Sequence, residues 1–303
     1  MFTSTLLTMV TLISLSLNMS INMKKIISVV ISSLLLLSLF SCSEKERAEN
    51  YQLTVNTVIE DLEIDVKAGQ PSGTYYLYVG IFQNNGQLAK VGPIEVKNGG
   101  RANAVISLVA DQIYDLVFWA QGATAAYNIE NLSAITIPTT LPASTESTLT
   151  LLAAKHNDAF CAVLKGVNFS GSITKEVRLQ RVGGVLNILH SGDSNELSNG
   201  AVLSTKVEYT SFTIYNPLTG VYSGESPTCQ TIIFPTNYEF VETETINQTN
   251  CTVLARSYFF TPEKKFREVK ITTTKNNNTI KETTLTSVPF EQNKKTNLIG
   301  NFI

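Results

Sequence analysis

The run Tyr75–Phe82, YYLYVGIF, constrains the fold more than any other stretch of the chain. It is aromatic and β-branched, and turn formers bound it on both sides: Pro71-Ser72-Gly73 before, Asn84-Asn85-Gly86 after. A short apolar run with such flanks predicts a strand, and Asn85-Gly86 is a tight-turn signal that folds the next segment back on it. The same grammar recurs on either side. Tyr51, Leu53, Val55 and Thr57 alternate with their neighbours at a period of two. Gly92–Val96 predicts a further strand, Asn98-Gly99-Gly100 a turn, and Ala102–Leu108 another alternating strand. Tyr114–Trp119, YDLVFW, has few polar positions and reads as a strand buried on both faces.

Between Gly122 and Ala154 the pattern loosens, and Pro138, Pro142 and a Thr/Ser-rich run predict a long surface loop. Ala159–Val167 returns as a strand. Val177–Leu189 alternates strongly, with Gly183-Gly184 permitting a bulge or a close backbone approach. A domain junction is placed just before it. Later strands are predicted at Lys206–Tyr215, Thr231–Phe234, Cys251–Phe260, Glu268–Thr274 and Thr279–Thr286, with Asn276-Asn277-Asn278 as a hairpin turn and a β-prone end from Thr296 to Ile303. Many short strands separated by turns predict an all-β protein of sandwich or Greek-key type. The expected division is an N-terminal β-sandwich over 51–174 and a C-terminal one over 175–303.

The start of the chain carries a different signal. Met23-Lys24-Lys25 opens a short apolar run that ends in Leu39-Phe40-Ser41-Cys42. A basic start, an apolar stretch too short for a comfortable membrane span and a small residue before cysteine predict a lipoprotein signal peptide over 23–41. Cys42 is then the lipidated first residue of the mature protein. Phe40 departs from the usual small residue of such a box. Residues 1–22 hold no Lys or Arg and read as an upstream start or a second apolar segment, and residues 42–50 as a charged tether.

A net charge of −2 and a pI near 5.8 give no electrostatic case for nucleic acid. Charged residues are only 16%, and Thr, Ser and Asn fill polar positions, as suits exposed strand faces. Chemistry is sparse. His156 and His190 are neither paired nor near a cysteine or an acidic cluster at metal spacing. No nucleophile elbow, zinc-helix motif, phosphate loop or dinucleotide fingerprint occurs, so neither an enzyme nor a cofactor is expected. Asp158 and Glu176 could be imagined as paired carboxylates, but nothing in the sequence brings them together. Trp119 is expected in the core of the first domain. Tyr75, Tyr76 and Tyr78 are the candidates for a glycan groove, with the plainer alternative of one packed and one wet face. Lys264-Lys265-Phe266-Arg267 reads as a solvated turn. Cys161, Cys229 and Cys251 remain besides Cys42. In an exported protein Cys229 and Cys251 could bridge, with a gain of roughly 3 kcal/mol. The alternative, that all three are small buried hydrophobes, fits the spacings slightly better.

Several segments resemble the fimbrillin-like pilins of the Bacteroidetes, the family of the type V pilus subunits. They are YDLVFWAQ at 114–121, Tyr127 with Ile135-Thr136-Ile137, Asn157-Asp158-Ala159-Phe160, VRLQRVGGVLN at 177–187, and Thr296-Asn297-Leu298-Ile299-Gly300-Asn301. Arg181-Val182-Gly183-Gly184 departs from the family, which tends to carry Arg-Pro and a bulkier residue there. The resemblance implies two tandem sandwiches of transthyretin-like topology, made as a lipoprotein precursor and carried to the outer membrane. It also implies trimming after an arginine and assembly by β-strand addition to other fimbrial subunits. The implied partners are those subunits, outer-membrane lipid through Cys42, and surface glycans or proteins. Arg47 is the candidate processing site. Cleavage there would release the lipid but no strand, and no donor strand is evident at the C-terminal end, which suits a tip, accessory or anchor subunit. The competing expectation is a stand-alone glycan-binding surface lipoprotein.

Overall fold

Two sheet systems meet at one short junction, and a separate core fills the joint between them. A computed structural model describes residues 50–59, 74–97, 99–123, 125, 127–137, 158–168, 170–192, 203–234, 243–262 and 264–303. Among the described residues every regular element is a strand. The first system contains β1 (Asn50–Ile59), β2 (Tyr75–Gln83), β3 (Gly86–Val96), β4 (Arg101–Val109) and β5 (Tyr114–Gly122). After the two-residue β6 (Ile135–Thr136) come β7 (Ala159–Val167) and β8 (Ile173–Arg181). Without β6 these form a sheet in the order β3-β2-β5-β7-β8-β1-β4. β7 and β8 share only the pairs Phe160–Arg181 and Cys161–Gln180, so the ladder is thin at that seam. Side chains from both sides of the seam meet in one apolar core, among them Leu53, Val55, Leu77, Ile106, Leu116 and Phe118.

The second system starts at β9 (Gly184–His190) and β10 (Leu203–Asn216). It continues through β11 (Val221–Phe234), β12 (Thr243–Ile246), β13 (Thr249–Phe259), β14 (Lys265–Lys275), β15 (Asn278–Phe290) and β16 (Lys295–Gly300). One sheet runs β11-β10-β14-β15 with β6 beside β10, and the other runs β12-β13-β9-β16. Leu186, Val207, Ile232, Val253, Phe259 and Ile271 are central to the core they share. The sequence reading misses β12 and the first two-thirds of β11. Gly224 and Pro227 interrupt that strand, and Gly224 adopts φ +68, so neither propensity nor alternation marks it.

The sheet boundary falls after Arg181, whereas the expected junction lay between 174 and 175. Alternation over 177–189 reads as one strand, but Val182 and Gly183 divide it. Val182 N–H donates to the Ala159 carbonyl at 2.9 Å in the first sheet, and the Val182 carbonyl accepts from the Tyr222 hydroxyl of β11 at 2.9 Å. A Cβ on Gly183 would strike the Phe259 carbonyl, so only glycine lets the chain cross so close to β13.

β5 is buried on both faces, as its composition predicts. Leu116, Phe118 and Ala120 face the first core, while Val117 and Trp119 face the other way. Trp119 is therefore a core residue of the joint and not of the first domain. It packs edge-on to Tyr127 at 5.5 Å and near Tyr215 of β10, and its indole N–H donates to Gln121 at 2.7 Å. Phe260 stacks on Tyr127 at 5.6 Å from the second system. A buried aromatic with a satisfied N–H ties the two systems through dispersion and area rather than through charge.

Candidate functional site

The first strand sits in a slot that no hairpin supplies. β1 pairs antiparallel with β4 from Asn50–Val109 to Val58–Arg101, and parallel with β8 from Leu53–Ile173 to Ile59–Leu179. Neither neighbour adjoins it in sequence. Its alternation decides its role: Leu53, Val55, Thr57 and Ile59 point into the core, and Asn50, Gln52 and Asn56 point to solvent. Leu53, Val55 and Ile59 together contribute roughly 5–8 kcal/mol of apolar burial as an upper bound. Main-chain bonds on both sides and inward side chains at every second residue are what an extended segment needs, whichever chain it comes from.

The two edges of this sheet differ. β3 is protected. Pro93 lies within it, and its pairing with β2 shifts register twice. The segment 129–132 covers its first half: Leu132 N–H donates to Gln87 at 2.8 Å and Lys90 donates to the Ile129 carbonyl at 3.0 Å. β4 has no such device along 102–109 among the described residues. It alternates without interruption, contains no proline, and exposes Val105 at 52% and Val109 at 37%. Long regular edges of this kind are templates for another strand.

The residues singled out from sequence are scattered. Cys42, Arg47 and His156 lie outside the described residues. Cys229 and Cys251 are not bridged to each other; both are free thiols, as is Cys161. Strand parity is the reason. On β11 the buried positions are Thr228, Gln230, Ile232 and Phe234, so Cys229 faces outward. Cys251 lies in the second core, on β13 of the opposite sheet. Burial pushes the Cys161 thiol well above its ordinary range. Asp158 and Glu176 do not pair with each other. Asp158 takes both Nε and Nη2 of Arg181, at 2.9 and 2.8 Å, in a largely buried fork, and Glu176 meets Arg178 on the surface at 3.3 Å. The tyrosines of β2 build no open platform. Tyr75 packs on Phe160, and Tyr78 lies half-buried with the Lys90 ammonium 5.9 Å from its ring centre. His190 is buried, and its Nδ1 accepts the Phe302 N–H at 3.1 Å. No group of three or more metal-ligand side chains occurs among the described residues.

The family described as DUF6562, a family of unknown function, matches residues 45–303. The chain belongs to this family. No curated protein matches it in sequence. Solved structures similar to this DUF6562 chain include a candidate adhesin from Bacteroides ovatus, at 11% identity and TM-score 0.43, covering 77% of this chain and 76% of that one. The fimbrial anchor protein Mfa2 from Porphyromonas gingivalis aligns at 15% identity and TM-score 0.38, covering 82% and 90%. The tip fimbrial protein Mfa3 from the same organism, C-terminally truncated, aligns at 13% identity and TM-score 0.38, covering 80% and 81%.

The second system of the DUF6562 chain holds a buried polar row that sequence reading missed. Arg256 on β13 donates through Nη2 to Glu244 of β12 at 2.6 Å and through Nε to Asn187 of β9 at 2.9 Å. Asn187 donates in turn to Asn297 of β16 at 3.0 Å. All four strands of that sheet thus contribute one polar group to a single row. The signal available in sequence was a lone Arg within the apolar run CTVLARSYFF. A buried charge demands a partner, but sequence spacing does not say which.

Proposed function

We propose that this chain is a non-enzymatic, surface-anchored subunit of fimbriae, a structural, tip or accessory protein contributing to adhesion and assembled by β-strand addition. The observation that carries the reading is the β1 slot: an N-terminal strand held between two sequence-distant strands, with an apolar comb facing the core. Such a strand can be replaced by one from another subunit without disturbing a hairpin. The open β4 edge supports the same chemistry. The segments that resemble fimbrillin-like pilins fall on structural positions: YDLVFWAQ on β5, VRLQRVGGVLN across the junction and TNLIG on β16. We further propose two tandem β-sandwich domains divided near Val182, a lipid on Cys42 and arginine-directed processing at Arg47. Cleavage at Arg47 leaves β1 in place and exchanges membrane attachment for release into fimbriae.

The test is an immunoblot of fimbriae sheared from the native organism, run unheated and boiled. The proposal expects the chain in the fimbrial fraction, in a high-mass species that collapses on boiling. A single band of monomer mass in both lanes, confined to the membrane, would contradict assembly and leave the solitary surface lipoprotein. Cys42→Ala is expected to abolish labelling of the precursor by a palmitate analogue.

A further inference from the structure

A groove of ≈ 520 Å³ crosses the outer face of the sheet formed by β11, β10 and β14. That volume lies within the range of about 300–1,000 Å³ usual for small-molecule sites. Strand alternation builds it. The inward residues of β10 and β14 fill the second core, which turns Glu208 and Thr210 of β10 and Glu268 and Lys270 of β14 outward. Pro227 and Cys229 of β11 complete the floor with short side chains. The wall at one end is Phe266, which is 62% exposed and has the Lys264 ammonium 5.5 Å from its ring centre. Beside it, Arg267 is anchored by Glu225 and lies over the Phe212 ring at 6.0 Å.

The charges decide what this groove takes. Arg267 and Lys270 on its lining are balanced by Glu208 and Glu268. Three of the four are already paired: Arg267 with Glu225, Glu208 with Lys206 at 2.7 Å, and Lys270 with Glu282 at 3.1 Å. Glu268 has no ion-pair partner among the described residues. A nucleic acid or other polyanion finds no net positive charge here, and an apolar peptide finds too many fixed charges that it would have to desolvate. A neutral sugar meets both conditions. Its hydroxyls donate and accept, matching interleaved carboxylates and cations, and the C–H face of its ring can lie on an exposed aromatic. We propose that this groove binds a short neutral oligosaccharide, with Phe266 as the stacking platform and Glu268 and Lys270 as hydroxyl partners. The proposal is independent of the assembly reading, because the groove and the β1 slot share no residue.

The full exported chain is screened on a glycan array containing neutral, sulfated and sialylated glycans, and hits are measured by calorimetry. The expected result is binding of neutral glycans, reduced at least about tenfold in Phe266→Ala and Phe266→Leu and retained in Phe266→Trp. Each variant should melt at the wild-type temperature, since the side chain is exposed. No neutral glycan bound, binding restricted to acidic glycans and lost with salt, or neutral binding unchanged in Phe266→Ala would each overturn the proposal.

Discussion

Around β1 the interior is hydrocarbon. Leu53, Val55, Ile106 and Leu179 meet there, and the buried Thr57 hydroxyl is met by the Ala102 carbonyl at 3.1 Å. Around β9 and β13 polar groups are buried on both faces of the sheet: Ser257, with Thr205, Gln230 and Thr273 of the facing sheet, lies on the side of the second core, and Asn187 and Arg256 lie on the opposite side. The difference bears on specificity. An apolar comb is satisfied by any strand with the right alternation and length, whereas a polar row is satisfied only by one register. The register of the β12-β13-β9-β16 sheet is therefore the more tightly specified of the two.

The sharpest way to break this contrast is Arg256→Ala. The Arg256 and Glu244 side chains are 5% and 16% exposed, and the substitution removes the Nε donor to Asn187 and the nearer cation of Glu244, which keeps Lys295 at 3.6 Å and the Asn187 amide at 3.2 Å. A loss of about 3–5 kcal/mol is expected in a denaturant melt. A loss below about 1 kcal/mol, an ordinary surface value, would mean the row fixes nothing. Trp119→Ala should cost a similar amount, about 3–5 kcal/mol. Because the indole sits in the joint, it should also separate one transition into two. A single, equally cooperative transition would place its effect within one system only.

Smaller effects sharpen the picture. Thr205 and Thr273 face each other across β10 and β14, fully buried, and neither hydroxyl has a hydrogen-bond partner among the described residues. Replacing both by valine keeps the shape and removes the desolvation cost. A gain of about 1–2 kcal/mol is expected. A loss would reveal that the hydroxyls are in use, for instance through an ordered water. Cys229→Ser should change stability by less than about 0.5 kcal/mol, because the thiol is free and faces outward. A drop of several kcal/mol on substitution or reduction would restore the bridge to Cys251.

Local rules made most strands legible. Alternation placed β1, β4 and β10, and the absence of polar positions placed β5. Asparagine pairs marked the hairpins: Asn84-Asn85 and Asn276-Asn277 all adopt positive φ, as tight hairpin turns require. The first of these turns lies one residue earlier than Asn85-Gly86, so Gly86 already belongs to β3. What stayed hidden was non-local. Nothing in Asn50–Ile59 announces a parallel partner at Ile173–Arg181, and nothing in β5 says which of its two buried faces meets its own sheet system and which meets the joint. The Phe266 groove was missed because a basic, aromatic tetrapeptide at a strand start reads as solvated. Only its neighbours on β10 and β11 give it walls.

The most direct test of the account is strand replacement in the β1 slot. A chain beginning after residue 59 is refolded with a synthetic peptide of residues 50–59, or with a shuffled peptide of equal composition that lacks the alternation. The account predicts that the native peptide binds one to one, restores the cooperative melt and stays bound in detergent until boiled, while the shuffled peptide does none of this. Equal rescue by both peptides, or a cooperative melt with no peptide at all, would show that β1 is not an exchangeable part of the fold.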